Sequence, residues 1–573
     1  MESSTPDHKL IIYQMLPRLF GNTKTTNKVY GSIEENGCGK FNDITDKALS
    51  EIGKMGFSHV WYTGVIEHAT MTDHAAYGIK TDDPDVVKGR AGSPYAIKDY
   101  YDVAPDLAVD VNNRINEFQD LVTRTHLNGL KVIIDFVPNH VARTYASDMR
   151  PKAVRDFGED DDTSKDFTSE NDFYYIPGEH FKVPSGYNPG GDGFVSPLKD
   201  GHFEEYPAKA TGNDVFNPAP SINDWFETIK LNYGVYYLDG HKTYFGHVPP
   251  LWYKMHHILT YWAEMGVDGF RCDMIEMVPV EFWAWIIPKL KVSHPELIFI
   301  GEAYDKNQYY NYIQTGGFDY LYDKVGLYDA IRKLTCNDEW ASTWDINAVW
   351  NNHCKGIDAH MIRFMENHDE QRIASCFFAG DAWYAVPGMI VSATLATGPV
   401  MIYSGQEVGE PAEGEQGFSG DDGRTTIFDY WGVPGHQKWV NNGAFDGGGL
   451  SPQQLQLRKF YSDLLNTVKN NEALRTGEFY ELMIANEQQP GFDTRLYLYL
   501  RYTDTQRVLV VANFNRAERN IRVNIPAELL NQFNLNANAN FTDLLTGAVF
   551  STPDIMQGVD VDLKPVGGLL LAF

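Results

Sequence analysis

At 573 residues the chain is too long for one ordinary core, and 43% hydrophobic with 22% charged residues marks a globular protein, not a disordered or fibrous one. The 77 Asp and Glu outnumber the 48 Lys and Arg, and the resulting formal charge of −29 argues against nucleic acid or anionic membrane as a main partner, since both would be repelled at long range. The five cysteines (Cys38, Cys272, Cys336, Cys354, Cys376) are scattered, odd in number and free of any C-x-x-C pair, so neither a disulfide framework nor a zinc ribbon is expected. Residues 1–7 have no basic or apolar leader region, and no apolar run reaches about 18 residues, so the reading is cytoplasmic with no membrane span. A mature exported form whose leader is replaced by Met1 would read the same. Oligomeric state is not legible.

In chain order, short apolar runs alternate with amphipathic stretches. The first run covers 10–16. A helix over 43–55 follows, with Leu49, Ile52 and Met55 on one face, and then a run at 58–65. A second helix over 111–130 groups Ile115, Phe118, Leu121 and Val122 ahead of a run at 131–137. From 141 to 250 the pattern breaks into Gly, Pro, Asp and aromatic residues, as in Asn188-Pro189-Gly190-Gly191-Asp192-Gly193. A structureless loop of that length is improbable, so a small inserted domain is expected. A helix over 251–265 restores the alternation, and runs follow at 267–273, 297–302, 318–324, 361–366 and 400–404.

Eight β/α alternations, several strands nearly all apolar, predict an α/β fold, a (β/α)₈ TIM barrel; a doubly wound open sheet is the structural rival. Past a helix at 452–468, alternating segments at 495–502, 507–513, 520–525 and 569–573 predict a C-terminal antiparallel β-sandwich. The expected domains are the barrel (1–140 and 248–470), the insert after strand three (141–247) and the sandwich (471–573). The run Glu159-Asp160-Asp161-Asp162 reads as a solvated loop more than a metal site.

The strands of a (β/α)₈ barrel converge at their C-terminal ends on one mouth, and these ends are rich in ionisable groups. Strand three ends in Asp135-Phe136-Val137-Pro138-Asn139-His140, strand four in Gly269-Phe270-Arg271-Cys272-Asp273, strand five in Gly301-Glu302 and strand seven in Glu366-Asn367-His368-Asp369. Singly, each has an ordinary reading: Asp273 as an ion-pair partner of Arg271, Glu302 as a helix N-terminal acid, the histidines as hydrogen-bonded structural residues. Their coincidence at one mouth points instead to chemistry. Two carboxylates on adjacent strands meet the requirement of glycoside cleavage, one to attack or stabilise the anomeric centre and one held protonated to release the leaving oxygen. Arg271 would keep Asp273 ionised, which suits Asp273 to the first role and Glu302 to the second.

These segments resemble the four short blocks of the α-amylase superfamily (glycoside hydrolase family 13), in order and at suitable spacing. The opening Ile12–Phe20 and the Gly398–Glu407 stretch are similar too. The resemblance implies Asp273 as nucleophile, Glu302 as general acid/base and Asp369 as a carboxylate gripping sugar hydroxyls. It further implies Arg271 orienting Asp273, His140 and His368 holding the sugar at the cleavage point, and Tyr95 as an aromatic platform beneath it. Asp135 would support the arginine and histidine network. Gly92-Ser93-Pro94-Tyr95 looks closer to maltosyltransferase-like members than to typical amylases.

The implied activity is retaining cleavage of α-1,4-glucosidic bonds in starch-like polymers or malto-oligosaccharides, with transglycosylation by the same residues as the alternative and non-catalytic carbohydrate binding as a remote one. No cofactor is required on this reading. Calcium stays open: Asn139 is one candidate ligand, but Glu276 and Met277 stand where many α-amylases carry a Lys-His pair, Cys38 interrupts the acidic stretch Glu34–Gly39, and no metal ligand set is assigned. Tyr174, Tyr175, Tyr187 and Phe194 are acceptor-side stacking candidates whose more ordinary role is packing of the insert.

Overall fold

The computed structural model describes residues 9–535 and 537–573; the stretch 1–7 read above for a leader lies outside them. Each of the eight apolar runs contains a strand: β1 (Ile11–Met15), β2 (His59–Tyr62), β3 (Lys131–Phe136), β4 (Gly269–Cys272), β5 (Ile298–Gly301), β6 (Tyr320–Tyr322), β7 (Met361–Ile362) and β8 (Val400–Tyr403). They form one parallel sheet in the order β7-β6-β5-β4-β3-β2-β1-β8, and a parallel bridge from Arg363 to Val400 joins its two ends. The open-sheet alternative is thereby set aside.

Side chains alternate across these strands with period two. Ile12, Trp61, Ile133, Ile300, Tyr320, Tyr322, Ile362 and Met401 pack together inside the barrel. Their neighbours, such as Tyr13, Val60, Ile134 and Phe299, join the larger core between sheet and helices. Both faces are therefore apolar, which is why the strands read as nearly continuous hydrophobic runs. Two residues beyond the inward Ile12, Ile133 and Ile300, the same parity points Gln14, Asp135 and Glu302 into the mouth. Burial of all three, at 5% exposure or less, agrees.

Helix α1 (Asp46–Lys54) starts where the Thr45 side chain accepts from the Ala48 amide, and it buries Leu49 and Ile52. Helix α2 (Arg114–Leu127) buries Phe118, Leu121 and Val122, with Ile115 partly covered. Helix α3 (Pro250–Glu264) precedes β4, and α4 (Val280–Ser293) follows it.

Between β3 and β4 the chain holds only short paired strands: His140–Ala142 with Thr228–Lys230, Tyr175–Ile176 with Ala208–Lys209, and Val235–Tyr236 with Lys242–Thr243. Side chains do much of the fastening. Arg143 and Glu205, both buried, pair at 2.6 Å, and Asp161 accepts from the Asp172 and Phe173 amides and from the Tyr175 hydroxyl. The acidic run 159–162 is thus mostly solvated, with Asp161 turned inward as a loop tie.

Helix α5 (Pro452–Asn470), opened by a Ser451/Gln454 capping box, leads to a six-stranded antiparallel sheet and a two-stranded partner, Arg519–Val523 with Val559–Leu563. The partner strands alternate buried and exposed as expected, whereas the central Leu496–Tyr502 and Arg507–Asn513 are buried on both faces.

Candidate active site

The mouth is organised around Arg271, on β4, whose side chain is fully buried. One terminal nitrogen lies 2.7 Å from Asp273 Oδ1 and 3.7 Å from Asp135 Oδ1, and the other lies 2.8 Å from Glu302 Oε2. The third nitrogen, Nε, donates to the Tyr322 hydroxyl at 3.1 Å. Rings of Trp61, Tyr95 and Tyr322 surround the guanidinium at 5.3–5.5 Å. Parallel register places Arg271 beside Asp135 on β3 and Ile300 on β5, so the three acids come from two neighbouring strands and from β4 itself. Arg271 thus bridges two carboxylates, one at each terminal nitrogen. A buried charge of this kind is tolerated only when paired, and here the pairing is multiple.

Backbone geometry completes the arrangement. Met274, directly after Asp273, takes a left-handed conformation (φ 42°, ψ 50°), and its amide donates to Glu302 Oε2 at 2.9 Å. Glu302 Oε1 accepts from the Tyr304 hydroxyl at 2.8 Å. Upstream, Gly92 (φ 79°) approaches so closely that a Cβ there would stand 1.7 Å from the Ala69 carbonyl oxygen, which accounts for glycine at the start of Gly92-Ser93-Pro94-Tyr95.

Burial raises the Glu302 carboxyl to about 7, with Asp273 and Asp369 adding to the rise and Arg271 opposing it. Burial also raises Asp273, against the pull of Arg271's charge and hydrogen bond. Asp369 goes the other way: burial opposes the shift, but His368 and Arg271 bring it down to about 2, and its side chain remains two-fifths exposed. His140, by burial, drops to about 4, so its ring is neutral near pH 7.

Five of the seven expected site residues (Tyr95, His140, Asp273, Glu302 and Asp369) line one cavity of about 260 Å³. The other two stand behind it. Arg271 is sealed under Tyr95, and His368, with no side-chain exposure, stacks on Tyr95 at 5.2 Å. Gln14 Nε2 donates to His368 Nδ1 at 2.7 Å, which leaves the ring proton on Nε2, facing the Tyr95 hydroxyl at 2.6 Å and Asp369 at 3.0 Å. His368 thus has no exposed surface of its own on the cavity and stands behind Tyr95 and Asp369. Asp135 accepts from Trp61, the Gly64 amide and Tyr95, so it supports the network as expected.

Other cavity residues escaped the sequence reading: Tyr304, Phe428, Trp225, and the Lys88–Glu227 ion pair at 2.8 Å. Trp225 lies against His140 at 5.2 Å. The stacking candidates Tyr174 and Tyr175 are instead buried in the insert, the Tyr187 hydroxyl is bound to the Val87 carbonyl, and Phe194 lies under Arg90.

The region around Asn139 does not fit calcium. Lys230 Nζ donates to Asn139 Oδ1 at 2.7 Å and lies 2.5 Å from Asp214, so an ammonium already sits between these oxygens. The Asn139 amide nitrogen points to the Gly212 carbonyl and the Met277 sulfur. Glu276 accepts from the Asp305 amide. Asn36, in the N-terminal acidic stretch, is taken up by the Lys28 and Tyr430 backbone.

The family model described as "Alpha amylase, catalytic domain" matches residues 14–429, which is most of the chain and contains every residue of this mouth. The chain belongs to the α-amylase family. A second model, the cyclo-malto-dextrinase C-terminal domain, matches residues 493–557. Alpha-amylase 3 of Dictyoglomus thermophilum is 23% identical over 453 residues, 75% of this chain and 76% of that protein. An α-1,4-glucan:maltose-1-phosphate maltosyltransferase of Cereibacter sphaeroides is 30% identical over 125 residues, 19% of this chain and 21% of its own length. The α-amylase of Geobacillus thermoleovorans, solved with acarbose, shares the fold with a TM-score of 0.63 at 18% identity, over 99% of this chain and 98% of that one. As a member of the α-amylase family the chain is a glycoside hydrolase-type enzyme acting on α-glucans. No helix among the described residues is long and apolar enough to cross a membrane.

Proposed function

We propose that the enzyme cleaves α-1,4-glucosidic bonds of malto-oligosaccharides or starch by double displacement, with Asp273 as nucleophile and Glu302 as acid/base. In the first step an Asp273 oxygen bonds to the anomeric carbon. The bond to the leaving oxygen breaks, and that oxygen takes the Glu302 proton. In the second step Glu302 removes a proton from the incoming hydroxyl, whose oxygen bonds to the same carbon as Asp273 departs. Two inversions give net retention. The supporting observation is the pair of carboxylates on opposite ends of the Arg271 guanidinium at the wall of one cavity, with the Glu302 carboxyl raised to about 7.

Asp369 and the neutral His140 ring would hold hydroxyls of the sugar at the cleavage point, and Tyr95 would lie under its face, braced by His368. Trp225 and Phe428 are the aromatic surfaces we assign to neighbouring sugars. Calcium is not assigned a place beside Asn139, where Lys230 supplies the positive charge. Five unpaired cysteines, two of them exposed, support a reducing compartment, the cytoplasm.

What attacks the intermediate, water or a sugar, sets hydrolysis apart from transfer. Hydrolysis is our reading; the local match to a maltosyltransferase and the Gly92-Ser93-Pro94-Tyr95 segment favour transfer as the second. Incubation with maltoheptaose, followed by chromatography over time, separates them. Only shorter oligomers mean hydrolysis, longer ones mean transfer, and an unchanged substrate would contradict both.

A further inference from the structure

Away from the catalytic mouth, the strand Ile66–His68 pairs antiparallel with Ile97–Val103, and this register sets Glu67 directly opposite Asp99. Like charges in that position repel, and here water does not screen them: Glu67 is 1% exposed and Asp99 fully buried. A third carboxylate, the exposed Asp148, arrives on the segment that begins the insert. Oxygens of the three lie within 4.8 Å of one another.

The surroundings neutralise them only in part. Arg114 is committed to Asp102, at 2.8–2.9 Å through Nε. Lys98 Nζ lies 3.1 Å from Asp82 and binds the Lys80 carbonyl, and it comes no nearer to Glu67 than 3.9 Å. Each of these cations thus has a closer carboxylate of its own, and Lys98 reaches Glu67 only at the edge of ion-pair distance. Glu67 Oε2, buried, has no hydrogen-bond partner at all. Asp99 does have partners, and they shape the site: the Ser147 hydroxyl donates at 2.6 Å and the Met149 amide at 2.9 Å, so the residues flanking Asp148 are wrapped around Asp99.

We propose that Glu67, Asp99 and Asp148 form a binding site for a hard divalent cation of calcium's class. Such ions take oxygen ligands at about 2.3–2.6 Å, so opposed ligands stand roughly 4.6–5.2 Å apart, the scale of this triad. The exposed side of Asp148 leaves room for water to complete the shell. Bound there, the ion fastens the first turn of the insert to the β2–α2 connection. It acts on stability rather than on the reacting atoms.

The test uses the full chain, treated with chelator and desalted, titrated calorimetrically with CaCl₂ and in a separate arm with MgCl₂, with thermal melts in parallel. One ion per chain and a melting temperature raised by several degrees are expected, and the arm with the tighter binding identifies the ion. Glu67→Gln and Asp148→Asn, the second at an exposed position that folding tolerates, should each weaken binding by about tenfold or more and remove most of the thermal shift. Turnover measured in chelator should equal that of the unsubstituted protein in chelator. No heat and no thermal shift with either ion up to about 10 mM would overturn the proposal and put a proton on Glu67 instead; so would binding that survives both substitutions.

Discussion

A guanidinium shut away from solvent carries Asp273 and Glu302 on its two ends, yet the two acids are unequally served. Asp273 has the shorter contact and a true hydrogen bond from Arg271, whereas Glu302 feels the negative charge of both Asp273 and Asp369. Burial raises both acids, and the direct hydrogen bond from Arg271 opposes the rise at Asp273. Two predictions belong here. Replacing Asp273 with Asn should lower kcat on the order of 10³-fold or more while the melting temperature and circular dichroism stay near those of the unsubstituted protein, since the amide keeps the volume and a hydrogen bond to Arg271. The pH profile of kcat/KM should fall on the alkaline side through about 7, because the required proton leaves Glu302 as pH rises through its raised pKa. A profile flat to pH 9 would show that another group gives the proton.

At the scale of elements, the eight strands could be read from the sequence because both their faces are buried, and the mouth residues followed because ionisable groups stand at the C-terminal ends of those strands; parity from Ile133 to Asp135 and from Ile300 to Glu302 accounts for their inward direction. The same logic could have found Gln14, two positions after the inward Ile12, though its amide gives no sign in sequence of the histidine it meets 354 positions away. Trp225 and the Lys88–Glu227 pair were out of reach. They lie on irregular segments without periodicity, and the fold alone brings them to the cavity. Lys230 belongs to the same class: it ends the short strand Thr228–Lys230, paired with His140–Ala142, and from there spans Asn139 and Asp214. Lys230→Met should leave the Asn139 oxygen without a donor and lower stability by about 1–3 kcal/mol, read by urea unfolding, with a rise in KM as the neighbouring His140 loses its fixed position.

For the whole molecule, the catalytic barrel and the C-terminal sheet share buried surface. Leu496–Tyr502 and Arg507–Asn513 were expected to alternate like half-exposed strands. Instead they are covered on both sides, partly by the barrel helix Val386–Thr394, where the Thr394 hydroxyl meets the Tyr499 hydroxyl and Arg501 donates to the Thr394 carbonyl. Ending the chain after Asn470 should therefore expose the apolar helix Val386–Thr394 and yield aggregated protein on size-exclusion chromatography; a soluble, active monomer would show that the barrel closes its core without the sheet.

Double displacement on Asp273 is the claim from which the rest of the functional account follows. A slow-turnover 5-fluoro-α-glucosyl fluoride, incubated with the enzyme and followed by peptide mass spectrometry, tests it directly. The account predicts one added 5-fluoroglucosyl group on the peptide carrying Asp273, absent from Asp273→Asn. A label on any other carboxylate, or turnover of the reagent to a β-configured product with no labelled enzyme, would contradict it.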